Sequence, residues 1–160
     1  MKNLILIRHA KSSWDEPVID SKRDLAQKGI AKATKVAVFT KKMVNSEAIV
    51  WSSYAKRAHK TAILFLDNWR WNVSKIEIIK ELYTFDSTEL EQIVKSCQNE
   101  CNNLILFGHN NAITDFVNKF GDVFIDNVPT AGFVSIDFDT DSWSKISKGK
   151  TIEIIVPRDI

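Results

Sequence analysis

The stretch LILIRHAKS, residues 4–12, decides how the rest of the chain is interpreted. Its four leading apolar residues, two of them β-branched, predict a strand that is buried on both faces. The apolar run ends abruptly at Arg8 and His9, so both polar side chains lie where the strand ends. Because ligands of open α/β sheets bind at the carboxyl ends of the strands, this placement favours a chemical role for the pair over a packing role.

An arginine beside a histidine at a strand end favours a phosphate ligand. The guanidinium of Arg8 offers a fixed fork of donors that matches phosphate oxygens. A neutral imidazole at His9 can attack phosphorus and carry the phosphoryl group covalently. The dipeptide is short and occurs by chance in many proteins, so the prediction depends on later stretches of the chain.

Length and composition limit the classes of protein that the chain can represent. With 160 residues, 44% apolar and 26% charged, it is predicted to form one globular domain over residues 1–160. The 22 basic and 20 acidic residues give a net charge of +2, too small for a broad field that attracts nucleic acid or an anionic membrane. The N-terminal apolar run is too short for a secretory signal, and no stretch approaches the ~18 apolar residues of a membrane span. We therefore expect a cytoplasmic protein; the sequence gives no indication of the oligomeric state.

The two cysteines, Cys97 and Cys101, are one helical turn apart. This spacing gives poor disulfide geometry, and two cysteines without a neighbouring histidine do not form a zinc site. We predict buried or idle thiols and no metal.

The alternation of predicted strands and predicted helices along the chain predicts the fold class. Further strands are expected at 48–51, 76–79, 104–107, 133–138 and 152–156, the last two as an antiparallel pair. Between them, apolar stripes at helical spacing predict four helices. The first has the stripe Ala26, Ile30, Ala33 and Ala37, with an unexplained glycine at position 29. We predict a three-layer α/β sandwich, with a mostly parallel central sheet, helices on both faces and a terminal antiparallel strand pair.

Local signals predict where these helices begin. Ser52 and Ser53 are a plausible N-cap for the second helix, and Thr88 to Glu91 have the spacing of a capping box before the third. Asn110 or Asn111 can cap the fourth.

The second helix begins on a basic cluster of Lys56, Arg57, His59 and Lys60. Such a cluster is usually a solvated face. In the first turn, however, the helix dipole makes basic residues unfavourable and favours anions. This placement indicates that one of the four residues binds an anion, and Arg57 can reach the edge of the sheet where His9 lies.

Two of the three histidines, His9 and His109, directly follow buried strands. Either could be a core histidine that is satisfied by the backbone. Their matching positions favour a shared site, because strand ends of one sheet lie along one edge and the two imidazoles can converge.

Together these segments resemble the landmarks of the histidine phosphatase superfamily, which includes the phosphoglycerate mutases. The landmarks are Arg8-His9-Ala10, Ser52-Ser53-x-Ala55-x-Arg57-Ala58-x-x-Thr61-Ala62 and Gly108-His109-Asn110. The short chain, Lys11-Ser12, Glu81-Leu82-Tyr83 and Val128-Pro129-Thr130-Ala131 are most similar to its small branch, the SixA-type phosphohistidine phosphatases. The resemblance extends from the N-terminus to about Trp143 and implies a phosphoglycerate mutase-like fold.

The resemblance implies catalytic roles for four residues. His9 is the nucleophile that becomes phosphorylated, Arg8 and Arg57 bind phosphate oxygens, and His109 is a second histidine beside the phosphoryl group. We expect a neutral His9 and a cationic His109, and hence a bell-shaped dependence of rate on pH. Ser12 and Asn110, which continue two of the landmarks, are predicted substrate-binding residues. Neither a metal nor another cofactor is expected, because two arginines and a histidinium can neutralise the phosphoryl charge.

Two positions depart from the family pattern, and the general acid of larger family members has no clear counterpart here. Ala10 replaces the usual glycine, which is tolerable if the backbone there does not need a positive φ. Arg23-Asp24-Leu25 stands where Arg-Pro-Leu is common, which leaves open how the preceding loop covers the pocket. Glu81 is the one candidate for a general acid, and an exposed strand-end glutamate is an equally good interpretation.

The lack of a clear acid bears on the substrate. An alkoxide that leaves from a phosphomonoester needs a proton, whereas the imidazole of phosphohistidine can leave already protonated. We therefore favour phosphohistidine in a protein, with a small phosphoester or a non-catalytic phosphate-binding module as alternatives. A phosphomutase fits least, because the chain lacks room for segments that retain an intermediate. Trp14 could pack against an incoming imidazole or cover the core.

Overall fold

A six-stranded sheet forms the centre of the computed structural model, which describes all residues, Met1–Ile160. The strands lie in the order β3-β2-β4-β1-β5-β6. The first four of these are mutually parallel, whereas β5 runs antiparallel to both β1 and β6. The strands are β1 (Lys2–Arg8), β2 (Ile49–Ser52), β3 (Ile76–Ile78), β4 (Asn103–Gly108), β5 (Phe133–Phe138) and β6 (Lys150–Ile155).

Four α-helices cover the two faces of the sheet: α1 (Gln27–Thr40), α2 (Lys56–Trp69), α3 (Ser87–Lys95) and α4 (Ala112–Phe120). Successive side chains of β1 point to opposite faces, as the pleat requires. Leu4 and Leu6 join the core formed with α3 and α4, while Ile5 and Ile7 join the core formed with α1 and α2. The predicted three-layer sandwich with its terminal antiparallel pair is confirmed.

The buried face of α1 differs from the predicted stripe. Ala33 and Ala37 are buried as expected, but Ile30 is exposed and Ala26 precedes the helix. The buried face instead includes Gly29. A Cβ atom at Gly29 would lie 2.4 Å from the carbonyl oxygen of Lys11, so only glycine lets α1 approach the segment that follows β1.

Two of the predicted helix caps are wrong. No side chain caps α2, and a residue outside the predicted capping box caps α3. The N-cap of α2 is Ala55, without a side-chain hydrogen bond. The N-cap of α3 is Asp86, whose side chain accepts the N–H of Thr88. The N-cap of α4 is Asn111, one of the two predicted residues, but it makes no side-chain hydrogen bond; the side chain of Asn110 instead accepts the N–H of Thr114 in the first turn.

The register of the sheet places the two strand-end histidines side by side. In the parallel pair of β1 and β4, Arg8 lies opposite Gly108. The next residue of each strand is a histidine, and the N–H of His9 donates to the carbonyl of Gly108 at 3.1 Å. The predicted convergence of His9 and His109 thus follows from strand pairing.

Cys97 and Cys101 are both buried and free, as predicted. None of the helices has the length and apolar character needed to cross a bilayer.

Candidate active site

The imidazole rings of His9 and His109 lie 5.3 Å apart, centre to centre, and are tilted by 50°. Both rings are more than nine-tenths buried. The turn that carries His9 is held by Thr61 of α2, whose hydroxyl accepts the N–H of Ala10 at 2.9 Å and donates to the carbonyl of Arg57 at 2.7 Å. One threonine therefore joins the turn of His9 to the helical turn of Arg57.

A backbone hydrogen bond sets which nitrogen of His9 is free. Its Nδ1 lies 2.7 Å from the carbonyl oxygen of Ala10, and a carbonyl can only accept, so Nδ1 carries the proton. The lone pair is then on Nε2. Burial lowers the pKa of His9 to about 4; the hydrogen bond to Ala10 opposes this lowering, and the charges of Arg57, Arg8 and Arg23 add to it. His9 is neutral near pH 7, as a nucleophile requires.

Arg57 is buried at the start of α2 and points to the loop between β1 and α1. Its Nη1 donates to the carbonyl oxygen of Asp20 at 2.7 Å, and its Nη2 donates to the carboxylate of Asp20 at 2.9 Å. The two lysines of the predicted cluster, Lys56 and Lys60, pair with Asp24 instead. Arg57 is therefore the basic residue of this cluster that belongs to the site.

Asp20 accepts hydrogen bonds from three side chains around the pocket, and no pattern in the sequence predicts this role. In addition to Arg57, Arg23 donates to its carboxylate at 3.2 Å, and the hydroxyl of Tyr83 donates to the same group. Burial alone would raise the pKa of Asp20, but the hydrogen bonds from Tyr83, Arg57 and Arg23 outweigh it and lower that pKa to about 2. Asp20 is thus an anion at any physiological pH.

Arg8 is fixed by the segment that precedes β5. Its Nη1 donates to the carbonyl of Val128 at 2.9 Å. The N–H of Ala131, a residue in the left-handed region with φ of 63°, donates to the carbonyls of Arg8 and His9. Burial lowers the pKa of Arg8. Residues 128–131, which the resemblance singled out, therefore hold the end of β1 in place.

His109 has one polar contact, between its Nε2 and the hydroxyl of Ser53 at 2.7 Å. The rings of Tyr83 and Phe85 pack against its imidazole at 5.2 Å and 5.6 Å, centre to centre. Burial lowers the pKa of His109 to about 3, and the charges of His9, Arg57 and Arg8 add to that lowering. The expectation of a cationic His109 is therefore wrong for the free protein, because burial among cations disfavours a further positive charge.

Only two buried side-chain nitrogen or oxygen atoms in the whole chain lack a hydrogen-bond partner, Nε of Arg8 and Nδ1 of His109. Buried polar groups are otherwise almost always paired, and exceptions tend to occur at functional sites. Both exceptions lie on the side chains that the sequence placed at the strand ends. The Nε–H of Arg8 is therefore a buried donor that a ligand with an acceptor oxygen would pair.

Arg8, His9 and Arg57 border a cavity of about 360 Å³ at the carboxyl edge of the sheet, and His109 lies behind His9, outside the lining residues. Its lining is strongly cationic, with Asp20 as its one carboxylate: Arg8, His9, Lys11, Ser12, Trp14, Asp20, Arg23, Arg57, Phe85 and Thr130. Arg23 lies with its Cζ atom 3.3 Å from the centre of the Trp14 ring. Since Trp14 is 77% exposed, it does not cover the core.

The remaining predicted residues fall in different places. Ser12 lines the cavity, where its hydroxyl accepts from Arg23. Asn110 lies outside the lining, and its side chain bonds to Thr114 and Asn127. Glu81 is exposed and also lies outside the lining. No group of three or more metal-ligating side chains is present.

Ala10 is buried and has no positive φ, so the departure from glycine at this position is tolerated. The loop before Asp24 is also well placed. The N–H of Ser13 donates to the carbonyl of Asp24 at 2.7 Å, and the N–H of Ala26 donates to that of Lys11 at 2.9 Å. These bonds hold the loop against the pocket without the proline that is common in the family pattern.

Comparison with known proteins identifies relatives in both sequence and fold. The family model of the histidine phosphatase superfamily (branch 1) matches residues 4–105. A 2,3-bisphosphoglycerate-dependent phosphoglycerate mutase of Nautilia profundicola is 35% identical over 88 residues, which cover 45% of this chain and 38% of that enzyme. The match thus spans well under half the length of the curated relative.

Two solved structures share the fold over almost their whole length. The protein histidine phosphatase SixA, solved with tungstate, is 20% identical with a TM-score of 0.82 and 98% coverage of both chains. A protein of Agrobacterium tumefaciens described as a candidate phosphohistidine phosphatase SixA is 22% identical with a TM-score of 0.79, covering 98% of this chain and 99% of its own. The expected phosphoglycerate mutase-like architecture is therefore confirmed.

Proposed function

Since the chain belongs to the histidine phosphatase superfamily (branch 1), we propose that it is a phosphatase whose nucleophile is Nε2 of His9. One observation carries the proposal: Nδ1 of His9 is bound to the Ala10 carbonyl, which leaves the lone pair on Nε2, and His9 lines a pocket with three guanidinium groups. The catalytic unit is a single domain over residues 1–160, without a cofactor.

In the first proposed step, the lone pair of His9 Nε2 attacks the phosphorus of a phosphohistidine. The phosphorus–nitrogen bond of the substrate breaks, and its electron pair leaves with the substrate imidazole, which keeps its other proton and departs neutral. Arg8 and Arg57 bind the equatorial oxygens, on which the charge of the moving phosphoryl group accumulates. Fixed cations of this kind contribute roughly 10³ to 10⁵ in rate in other phosphoryl-transfer enzymes.

In the second proposed step, water attacks the phosphorus of phospho-His9. The nitrogen–phosphorus bond breaks, its electron pair returns to Nε2, and both water hydrogens leave on the phosphate, which then ionises to solvent. His9 regains the neutral state with a proton on Nδ1. Neither step requires an acid on the enzyme, because the leaving nitrogen is a weak enough base to depart without one.

The absence of a proton donor supports phosphohistidine as the substrate. Asp20 is the one carboxylate in the cavity lining, and its pKa of about 2 keeps it ionised and bound to Arg57. Glu81 lies outside the lining. A phosphomonoester would release an alkoxide that needs a proton, so its hydrolysis should be much slower here. The similarity to the SixA fold is consistent with a phosphorylated protein as the partner.

A small-molecule phosphomonoester is the second candidate substrate. The sequence similarity to a phosphoglycerate mutase favours this candidate, because phosphoglycerate is a small phosphorylated acid. A non-catalytic module that only binds phosphate would use the same arginines, but it would have no need of a free Nε2 on His9.

A direct assay separates these candidates. Purified protein in EDTA is incubated with a phosphohistidine peptide, a phosphoserine peptide and 3-phosphoglycerate, and inorganic phosphate is measured. We expect release from the phosphohistidine peptide and loss of that activity in His9→Asn. His59→Asn, on the outer part of α2, is the matched control and should keep activity. Preferential hydrolysis of 3-phosphoglycerate would favour the second candidate, and binding without release would favour the module.

A further inference from the structure

We propose that Ser53 is a positioning residue that fixes His109 in the tautomer with its proton on Nδ1, so that a neutral His109 donates to the phosphoryl group. This inference rests on the proposed function for the identity of the acceptor. The tautomer itself is a property of the free protein.

The hydrogen bonds of Ser53 determine the direction of its bond to His109. The hydroxyl oxygen accepts the N–H of Ala55 at 3.3 Å, and its second polar contact is Nε2 of His109 at 2.7 Å. A serine hydroxyl has one hydrogen to donate. Because Nε2 is the one acceptor within reach, that hydrogen is directed to Nε2, which must then carry the lone pair.

The opposite tautomer would leave more groups unpaired. If Nε2 carried the proton and donated to Ser53, the serine hydrogen would have no acceptor, and the lone pair of Nδ1 would also be buried without a partner. With the proton on Nδ1, a single group is unpaired. Since unpaired buried polar groups are costly, the chain favours the second arrangement.

The surroundings of His109 offer no competing polar partner. The rings of His9, Tyr83 and Phe85 pack around the imidazole, and all of them lie within 5.6 Å of it, centre to centre. Burial and the nearby arginines disfavour the doubly protonated form, which removes the imidazolium as an alternative. Ser53 is therefore the one side chain that can select the tautomer.

A proton on Nδ1 suits the ligand that we propose. Phosphoryl oxygens accept hydrogen bonds, and an Nδ1–H on His109, whose ring lies 5.3 Å from that of His9, would be a free donor in addition to the unpartnered Nε–H of Arg8. A bare lone pair on Nδ1 would repel the same oxygens. Ser53, which we expected to cap α2, instead acts on His109, the residue that follows β4.

The test is the ¹⁵N spectrum of the histidine rings in the free protein at neutral pH. His9→Asn and His59→Asn variants assign the signals of His109 by elimination. We expect one protonated nitrogen, Nδ1, and an unprotonated Nε2 in the native chain. In Ser53→Ala, the two tautomers should mix, and kcat should fall by about tenfold, the equivalent of one hydrogen bond, with KM little changed. Ser53→Thr, which keeps a hydroxyl, should restore the native spectrum.

Ser52→Ala is the matched control. Ser52 is equally buried, but its hydroxyl donates to the Ser53 carbonyl rather than to His109, so the tautomer should be unchanged. A native His109 protonated on Nε2, or on both nitrogens, would overturn the inference even if the protein is an active phosphatase. The native tautomer without any phosphatase activity would instead refute the proposed function and leave the role of Ser53 standing.

Discussion

Arg57 binds Asp20 through both of its terminal nitrogens, one to the backbone carbonyl and one to the carboxylate. A guanidinium has five N–H donors, so three remain for a phosphoryl group. Asp20 therefore orients Arg57 without occupying all of its hydrogen-bond donors. Because Arg23 and Tyr83 bind the same carboxylate, Asp20 fixes three side chains of the pocket at once.

Replacing Asp20 with alanine should lower kcat by roughly tenfold or more, because Arg57 and Arg23 lose the hydrogen bonds to a charged group that hold them in place. Steady-state hydrolysis of a phosphohistidine peptide measures the effect. Asp24→Ala is the matched control, since Asp24 pairs with Lys56 and Lys60 on the same helix but not with Arg57. Equal losses in the two variants would show that only the overall charge matters.

The dependence of kcat/KM on pH should differ from the bell shape that the sequence suggests. The pKa of about 4 for His9 and of about 3 for His109 leave both rings neutral above about pH 5. We expect kcat/KM, corrected for ionisation of the substrate, to be level between pH 5 and pH 9 and to fall only towards pH 4 as His9 is protonated. A limb between pH 6 and pH 8 that disappears in a His109 variant would contradict a neutral His109.

The same shifts make stability depend on pH. Well above the ordinary pKa of 6.5 both rings are neutral in the folded and unfolded chains, so they contribute no slope. Between that value and about pH 4, the unfolded chain binds protons that the folded chain excludes, so the free energy of unfolding falls as the pH falls. Each ring contributes up to about 1.4 kcal/mol per pH unit. Urea unfolding should show a smaller slope in His9→Asn than in the His59→Asn control; equal slopes would contradict the assignment.

Gly29→Ala should destabilise the protein despite the higher helix propensity of alanine. The propensity gain is about 1 kcal/mol, but the new Cβ atom would lie 2.4 Å from the backbone oxygen of Lys11, and such overpacking costs about 1 to 3 kcal/mol. We expect a net loss, measured by urea unfolding. Gly108→Ala is the control for stability, since its Cβ would meet only side chains at 3.7 and 3.8 Å. A Gly29→Ala variant more stable than the native chain would contradict the close packing of α1.

The positions of His9, His109 and Arg57 could be predicted from the sequence because they follow from regular structure. Buried apolar runs predict strands, strand ends share an edge, and a basic residue in the first turn of α2 stands out against the helix dipole. Register and helix position then bring these groups together. The three-layer arrangement was predictable for the same reason.

Asp20, Ser53 and Tyr83 could not be assigned in this way, because their contacts join loops far apart in the chain. Asp20 meets residues 37 and 63 positions away, and Ser53 meets a histidine 56 positions away. No periodicity encodes such contacts. The resemblance drew attention to Ser53 and Tyr83 as parts of motifs, but not to what they bind.

The charge of His109 could not be predicted from the sequence for a different reason. It depends on burial and on the summed field of His9, Arg57, Arg8 and Asp20, all of which require coordinates. Gly29 is a similar case, since the need for glycine lies in the approach of Lys11 and not in the helix itself.

The measurement that tests the central claim most directly is rapid-quench trapping of the phosphoenzyme. The protein is mixed with a ³²P-labelled phosphohistidine peptide, quenched in alkali, which preserves phosphohistidine, and digested for mass spectrometry. We expect the label on Nε2 of His9 during turnover, with none in His9→Asn. Turnover without labelled His9, or a label on another residue, would contradict the account.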